Sequence, residues 1–301
     1  MPGPLPAITL KVEIEMITQA IPLPRTTIEP RSRTLIMGVI NTTPDSFSDG
    51  GKLLDPDVAV KAGMEMLEAG ADILDVGGES TRPGSLGTAP EEESRRTVPV
   101  IRELNRQAPD AVISIDTRRS VVAEAALEAG AQIINDVSGF RDDPGLVDLA
   151  RESGAATIIM HMLGTPKDMQ KDIHYDDCPG DIIAFLRDRV KTLEESGIEG
   201  DKIIIDPGIG FGKTFDHNLR IINNLHLFKE LANPLMVGPS RKAFLGKILD
   251  EPDPSARDQG TMAVITAAIM RGADIVRVHN VPPAVQACRV ADAVIREKVS
   301  A

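Results

Sequence analysis

The chain has 301 residues, 42% of them hydrophobic, and a formal net charge of −12, with a pI near 5.0. That length suits one large α/β barrel or two ordinary domains, and the acidic balance argues against a nucleic-acid partner, which needs a basic face. Trp is absent and Tyr175 is the single tyrosine, which argues against an aromatic base-stacking platform.

The first segment, MPGPLPAITLKVEIEM, lacks the basic start and apolar core of a secretory leader. No run of about 18 apolar residues follows anywhere, so no membrane span is expected. Ile8, Leu10, Val12, Ile14 and Met16 alternate with polar residues, the period of a strand with one buried face. Pro22 and Pro24 then break the chain. Residues 1–33 are therefore expected as an appended strand or hairpin over one end of the domain formed by residues 34–301, with a flexible tail as the other reading.

Next comes LIMGVINTTPDSFSDGG, residues 35–51. Residues 35–40 are nearly all apolar, as in a strand covered on both faces. The polar run behind them, with Pro44 and two glycines, predicts a loop. In α/β folds the loops at strand C-termini are where ligands bind. Further strands are expected near 72–76, 111–115, 131–135, 155–160, 202–206, 235–238 and 274–278. Helical periodicity falls at 55–69, 91–107, 119–129, 182–196, 216–231, 258–271 and 283–298. A phrase recurs along the way: EAGADILDV, EAGAQIINDV, ESGAATIIM and RGADIVRV. Each reads as a helix ended by Gly and followed by a short apolar strand, a βα repeat. Eight such units predict a (β/α)8 TIM barrel, with a doubly wound sheet as the alternative. Cys178 and Cys288 lie far apart and fit no metal spacing. Read as free thiols, they imply a reducing compartment, the cytoplasm.

In a barrel, side chains at the strand C-termini converge on one mouth. Here they include Asn41, the run GGESTRPG (77–84), Asp116, Asn135, Asp136, Met160, His161, DPGIGFGK (206–213), GPSRK (238–242), Arg277 and His279. They fall into two chemistries. Asp116, Asn135 and Asp206 suit a flat heterocycle with several N–H donors, and Met160 and Phe211 suit its faces. Arg82, Ser240, Arg241, Lys242, Arg277 and His279 suit a phosphate or carboxylate. Bland readings stand beside these. Asp116 serves equally as an N-cap for the next helix, His161 as a hydrogen-bonded loop histidine, and Asp136 as a structural carboxylate. One of Arg241 and Lys242 is expected to be a solvated surface charge. GIGFGKT looks like a P-loop, but Pro207 stands where its first Gly belongs, and Lys213 breaks the G-x-G-x-x-G pattern.

NTTPDSFSDGG, DVGGESTRPG, SIDTRRS, INDVSG, IIDPGIGFGK, GPSRKAFLG and RVHNV, in this order, resemble the dihydropteroate synthase family from about Leu35 onward. The resemblance implies condensation of 6-hydroxymethyl-7,8-dihydropterin diphosphate with p-aminobenzoate, giving dihydropteroate and diphosphate in folate synthesis. Carried over by motif, it places Asp116, Asn135, Asp206 and Lys242 on the pterin, with Met160 and Phe211 against its faces. Asn41, Arg82, Arg277 and His279 would hold the diphosphate, and Asn41 would also bind Mg²⁺. Thr81, Arg82, Pro83, Phe211 and Ser240 would line the p-aminobenzoate site. The family also implies a homodimer formed through barrel helices. Two positions depart from its pattern. Ile209 stands where Phe is common, which is expected to loosen one pocket wall, and Leu163 replaces a common Gln.

Loss of diphosphate from the pterin methylene leaves a ring-stabilised cation, and an aniline nitrogen is a weak nucleophile. An SN1-like path is therefore expected, with loops 41–51 and 77–88 closing to exclude water. A pterin-dependent methyltransferase with a corrinoid partner, or a catalytically silent pterin-binding paralogue, are the competing readings.

Overall fold

The computed structural model describes residues 20–30, 33–43, 56–82, 84–85 and 87–297. The alternating segment at 8–16, the loop from 44 to 55 and Pro83 lie outside the described residues.

Ile21–Pro22 (β1) and Thr27–Ile28 (β2) pair as an antiparallel hairpin. The barrel then alternates strand and helix: β3 Leu35–Asn41, α1 Pro56–Glu68, β4 Ile73–Gly77, α2 Pro90–Gln107, β5 Val112–Asp116, α3 Ser120–Ala129, β6 Ile133–Asp136 and α4 Gly145–Ser153. It continues with β7 Ala156–Met160, α5 Cys178–Glu195, β8 Ile203–Asp206, α6 Phe215–Asn223, β9 Met236–Val237, α7 Ala243–Leu249, α8 Asp258–Ile269, β10 Ile275–Val278 and α9 Val281–Arg296. The eight parallel strands run in the order β8-β7-β6-β5-β4-β3-β10-β9. A parallel bridge between Ile205 and Leu235 joins the two ends, so the sheet is a near-closed (β/α)8 TIM barrel.

The recurring phrase does what its chemistry requires. Gly70, Gly130, Gly154 and Gly272 all have positive φ, the conformation that ends a helix and turns the chain back into a strand. At Gly130, with φ 120°, an added Cβ would also lie 2.5 Å from Asn105 Cγ.

Local chemistry moves some boundaries. The helix expected over 216–231 stops at Asn223 and continues as a 3-10 turn, Leu225–Leu231. Asn224 ends it by donating its side-chain amide to Arg220 O at 2.8 Å, a local bond that competes with helical continuation. Helix α5 starts at Cys178 rather than near 182, with Pro in its first turn, where a missing N–H costs nothing. The seven-residue α7 is too short for its periodicity to register in the sequence.

Along each strand, alternate residues face the barrel interior. Leu35, Met37, Ile73, Val112, Ile133, Ile158, Ile204, Met236 and Ile275 form one apolar interior cluster with Ile21, Leu23 and Ile28 of the hairpin. The hairpin therefore plugs the N-terminal end of the barrel. The residues between them, such as Ile40, Leu74, Ile113, Ile134 and Ile205, pack outward against the helices. Continuing the inward register toward the C-terminal end gives Asn41, Asp75, Asp116, Asn135, Asp206 and Arg277. The same period that builds an apolar floor thus delivers a polar mouth.

Candidate active site

At the ends of β5 to β8, Asp116 is in register with Asn135 and Met160 with Asp206. Asn135 and Asp206 are both buried, at 4% and 5% exposure. Asp116 is not a helix cap. Its Oδ2 accepts from Arg277 Nη2 at 2.7 Å across the barrel, and α3 begins at Ser120 without a side-chain cap. Asp206 Oδ1 accepts from the Gly208 amide at 2.7 Å, which orients the carboxyl at the mouth. Burial pushes the Asp116 carboxyl upward, and Arg277 opposes that shift. Asp206 is also raised by burial, against the Gly208 amide and the charge of Lys242.

Lys242 follows the β9 turn, and its Nζ lies 3.9 Å from the centre of the Phe211 ring. Burial and the neighbouring Arg277 lower its ammonium to about 8. Arg241, at φ 60°, points the other way. Its guanidinium grips Asp258 through two bonds of 2.8 and 2.9 Å, and Asp258 also accepts from Asn280 Nδ2. Neither neighbour is the loosely solvated charge expected for one of the pair.

His279 Nδ1 lies 2.9 Å from Ser240 Oγ, which also accepts from the His279 amide at 3.2 Å. Burial and the nearby cations Arg277, Arg241 and Lys242 lower the imidazole to about 3. His279 is therefore a neutral donor rather than a third cation. With the Ser240 hydroxyl donating to Nδ1, its remaining donor is Nε2–H.

Two further expectations are corrected by the packing. Met160 and Phe211 belong to one apolar cluster with Val137, Met162 and Met169. They form a single wall rather than the two faces of a sandwich. Ile209 is buried at 1% exposure in the core between barrel and helices, so it lines no pocket wall. Among the described residues of 77–88, Glu79 makes side-chain bonds near the two ends of the segment. Glu79 accepts from the Thr88 amide at 2.8 Å and from Arg118 and Arg119 at 3.0 and 2.9 Å. Within that loop Thr81 is half-buried and Arg82 is exposed.

The structural readings of Asp136 and His161 agree with the geometry. Asp136 accepts from Ser138 N and Oγ and from Phe140 N, each at 2.7 Å. His161 Nδ1 lies 3.0 Å from the buried Lys213 Nζ, which also donates to the carbonyls of His161 and Phe211. Burial lowers Lys213 to about 7 and His161 to about 2. Lys213 is thus the pin of the 206–213 loop, with no P-loop role.

Asp75 is a residue the sequence reading missed. It is fully buried, and its Oδ2 accepts from Arg277 Nε at 2.6 Å and Asn135 Nδ2 at 3.1 Å. It sits mid-strand in ILDVG, where only the inward register of a closed barrel marks it out. Arg277 therefore lies among the carboxylates, bridging Asp75 and Asp116, and the two expected chemistries share one space.

Among the described residues no group of three His, Cys, Asp or Glu is placed to hold a metal ion. Asn41 offers one hard carboxamide oxygen, half-buried at the end of β3. That donor set fits a cation such as Mg²⁺, which takes most of its ligands from phosphate oxygens and water.

Residues 37–279 match the protein family described as pterin binding enzyme. The chain is 46% identical over 276 residues to a dihydropteroate synthase of Synechocystis sp., covering 92% of this chain and 95% of that one. Its fold is similar to that of the Yersinia pestis dihydropteroate synthase in complex with a sulfonamide drug. The TM-score is 0.87 at 38% identity, with 92% of this chain and 99% of that one covered. The Xanthomonas albilineans dihydropteroate synthase with 4-aminobenzoic acid gives a TM-score of 0.86 at 38% identity, over 92% and 98% of the two chains. The chain belongs to the dihydropteroate synthase family, transferases of folate biosynthesis.

Proposed function

We infer that this chain condenses 6-hydroxymethyl-7,8-dihydropterin diphosphate with p-aminobenzoate to give 7,8-dihydropteroate and diphosphate. The observation that carries this reading is the convergence on one mouth of Asp206, Asn135, the Asp116–Arg277 pair, Lys242 and the Ser240–His279 pair.

In this reading Asp206 and Asp116 accept the N–H groups of the pterin edge, and Asn135 completes the fit. Met160 and Phe211 pack one ring face, and Lys242 stands beside Phe211. Arg277, His279 Nε2–H and Asn41 receive the diphosphate, with Arg82 contributing from the rim. Thr81, Arg82, Phe211 and Ser240 line the p-aminobenzoate side. Asn41 would hold Mg²⁺, which when bound neutralises charge on the leaving diphosphate. The C–O bond breaks first, and the carboxylates favour the cation that spreads into the ring. No strong general base is then needed, in keeping with the low proton affinity of the buried His161 and His279.

We take the chain to act as a homodimer. Exposed Leu219, Ile248, Leu249 and Met270 on or bordering α6, α7 and α8 support that reading. The cytoplasm is the compartment we propose, since both cysteines are buried and unpaired.

The test is to mix the protein with the pterin diphosphate, p-aminobenzoate and Mg²⁺ and measure diphosphate release. Release that depends on p-aminobenzoate and is blocked by a sulfonamide is expected. No release would refute the reading and leave the silent-paralogue alternative.

A further inference from the structure

Arg277 is held by two carboxylates, its Nη2 lying 2.6 Å from Asp75 Oδ2 and 2.7 Å from Asp116 Oδ2. Nε donates to Asp75 Oδ2 at 2.6 Å, and Nη2 donates to Asp116 Oδ2 at 2.7 Å. The two anchors differ in accessibility. Asp75 is fully enclosed by β-strands, whereas Asp116 stands one inward step nearer the mouth, at the end of β5. If Asp116 pairs with the pterin edge through both of its oxygens, its Oδ2 gives up Arg277 Nη2. The guanidinium can then turn its outer edge to the diphosphate only while something holds its Nε.

Asp75 has the properties of such a pivot. Its Oδ2 also accepts from Asn135 Nδ2 at 3.1 Å, so one oxygen ties together a pterin-side amide and the diphosphate-side cation. Its Oδ1 is buried without a hydrogen-bond partner among the described residues, as is Ser114 Oγ at the register position opposite on β5. A carboxylate kept only for structure would be expected to use both oxygens when buried.

We propose that Asp75 is a positioning residue that holds Arg277 by Nε, so that the guanidinium passes from Asp116 to the substrate's diphosphate when the pterin edge occupies Asp116. The proposal rests on the function inferred above. It makes no claim on Mg²⁺ or on the order of bond breaking.

Asp75→Asn tests it. The amide keeps an acceptor at the Oδ2 position for Asn135 and puts its nitrogen at the atom that has no partner, so the pterin side is preserved while the charge is lost. Calorimetric titration with 6-hydroxymethylpterin and with its diphosphate, in Mg²⁺, gives the ratio of the two affinities. The variant should lose that preference by about tenfold, the size of replacing a charge-assisted bond with a neutral one. Its affinity for the free pterin should stay within about twofold. kcat should fall while KM for p-aminobenzoate holds. Equal loss of both ligands, or an unchanged ratio, would overturn the pivot and assign Asp75 a structural role. Should Asp75→Asn not fold, Arg277→Lys keeps the charge but cannot be held by Nε while its outer edge turns. It should show the same loss of diphosphate preference, and full retention would overturn the proposal. Failure of the unaltered protein to bind the diphosphate would refute the function, a result separate from either variant's.

Discussion

The floor and the mouth of this barrel are built from the same strands and solve opposite problems. At the floor, Met37, Ile73, Ile204 and Ile275 meet Ile21 of the hairpin with every side chain fully buried and apolar. Nothing there depends on a ligand. One inward step higher stand Asp75, Asp206 and Arg277, and Asp116 lies a step beyond Asp75. Burial works against the ionised form of Asp116 and Asp206. The floor stabilises the fold, and the mouth spends part of that stability on holding charge out of water. Substitutions should therefore separate cleanly into those that unfold and those that disable.

Met37→Ala should have the largest effect on stability. Removing this fully buried side chain is expected to cost about 2–5 kcal/mol, read by urea unfolding, while KM values of the folded enzyme hold. A large rise in either KM would break the division between floor and mouth. Asp206→Asn should do the reverse. Loss of paired bonding to the pterin is expected to lower kcat/KM by about 2–3 kcal/mol of transition-state binding, with unfolding midpoint unchanged or raised. A midpoint drop as large as that of Met37→Ala would show that Asp206 is structural. Gly130→Ala lies in neither region and probes the helix–strand turn. Its positive φ and the contact with Asn105 should cost about 1–2 kcal/mol, and an unchanged midpoint would mean the turn relaxes freely.

The smallest effect is spectroscopic. The imidazole signals of His161 and His279 should stay flat between about pH 5 and about pH 8, since their folded values lie far below 6.5. The sign for stability follows. The unfolded chain takes up protons that these two imidazoles refuse, so their contribution is lost as pH falls from 6.5 toward about 3. The raised carboxyls act in the opposite sense. Asp136, at about 6, favours the fold increasingly as pH drops from there toward 3.8. A titration step for either histidine near 6.5 would place it in contact with solvent or a carboxylate.

Much of this was legible in the chain. The GA-containing phrase marked helix ends and strand starts because only a residue tolerant of positive φ makes that turn. Apolar runs bounded by polar residues marked strands buried on both faces, and the residues just after them marked the mouth. Asp116, Asn135 and Asp206 could be found this way because strand-end position is local information.

The tertiary structure decided what local information cannot carry. Asp75 lies in the middle of a strand, and only closure of the barrel brings it against Arg277, 202 positions away. The same closure set Arg277 among carboxylates rather than apart from them, and put Met160 and Phe211 on one wall. It also made His279 neutral, by burying it and setting Arg241 and Lys242 beside it together with Arg277 of its own strand. Sequence alone determined which residues reach the mouth, since that depends on period and turn chemistry. Which of them share a proton, a charge or a face depends on distances across the barrel, and those exist only once the first strand meets the last.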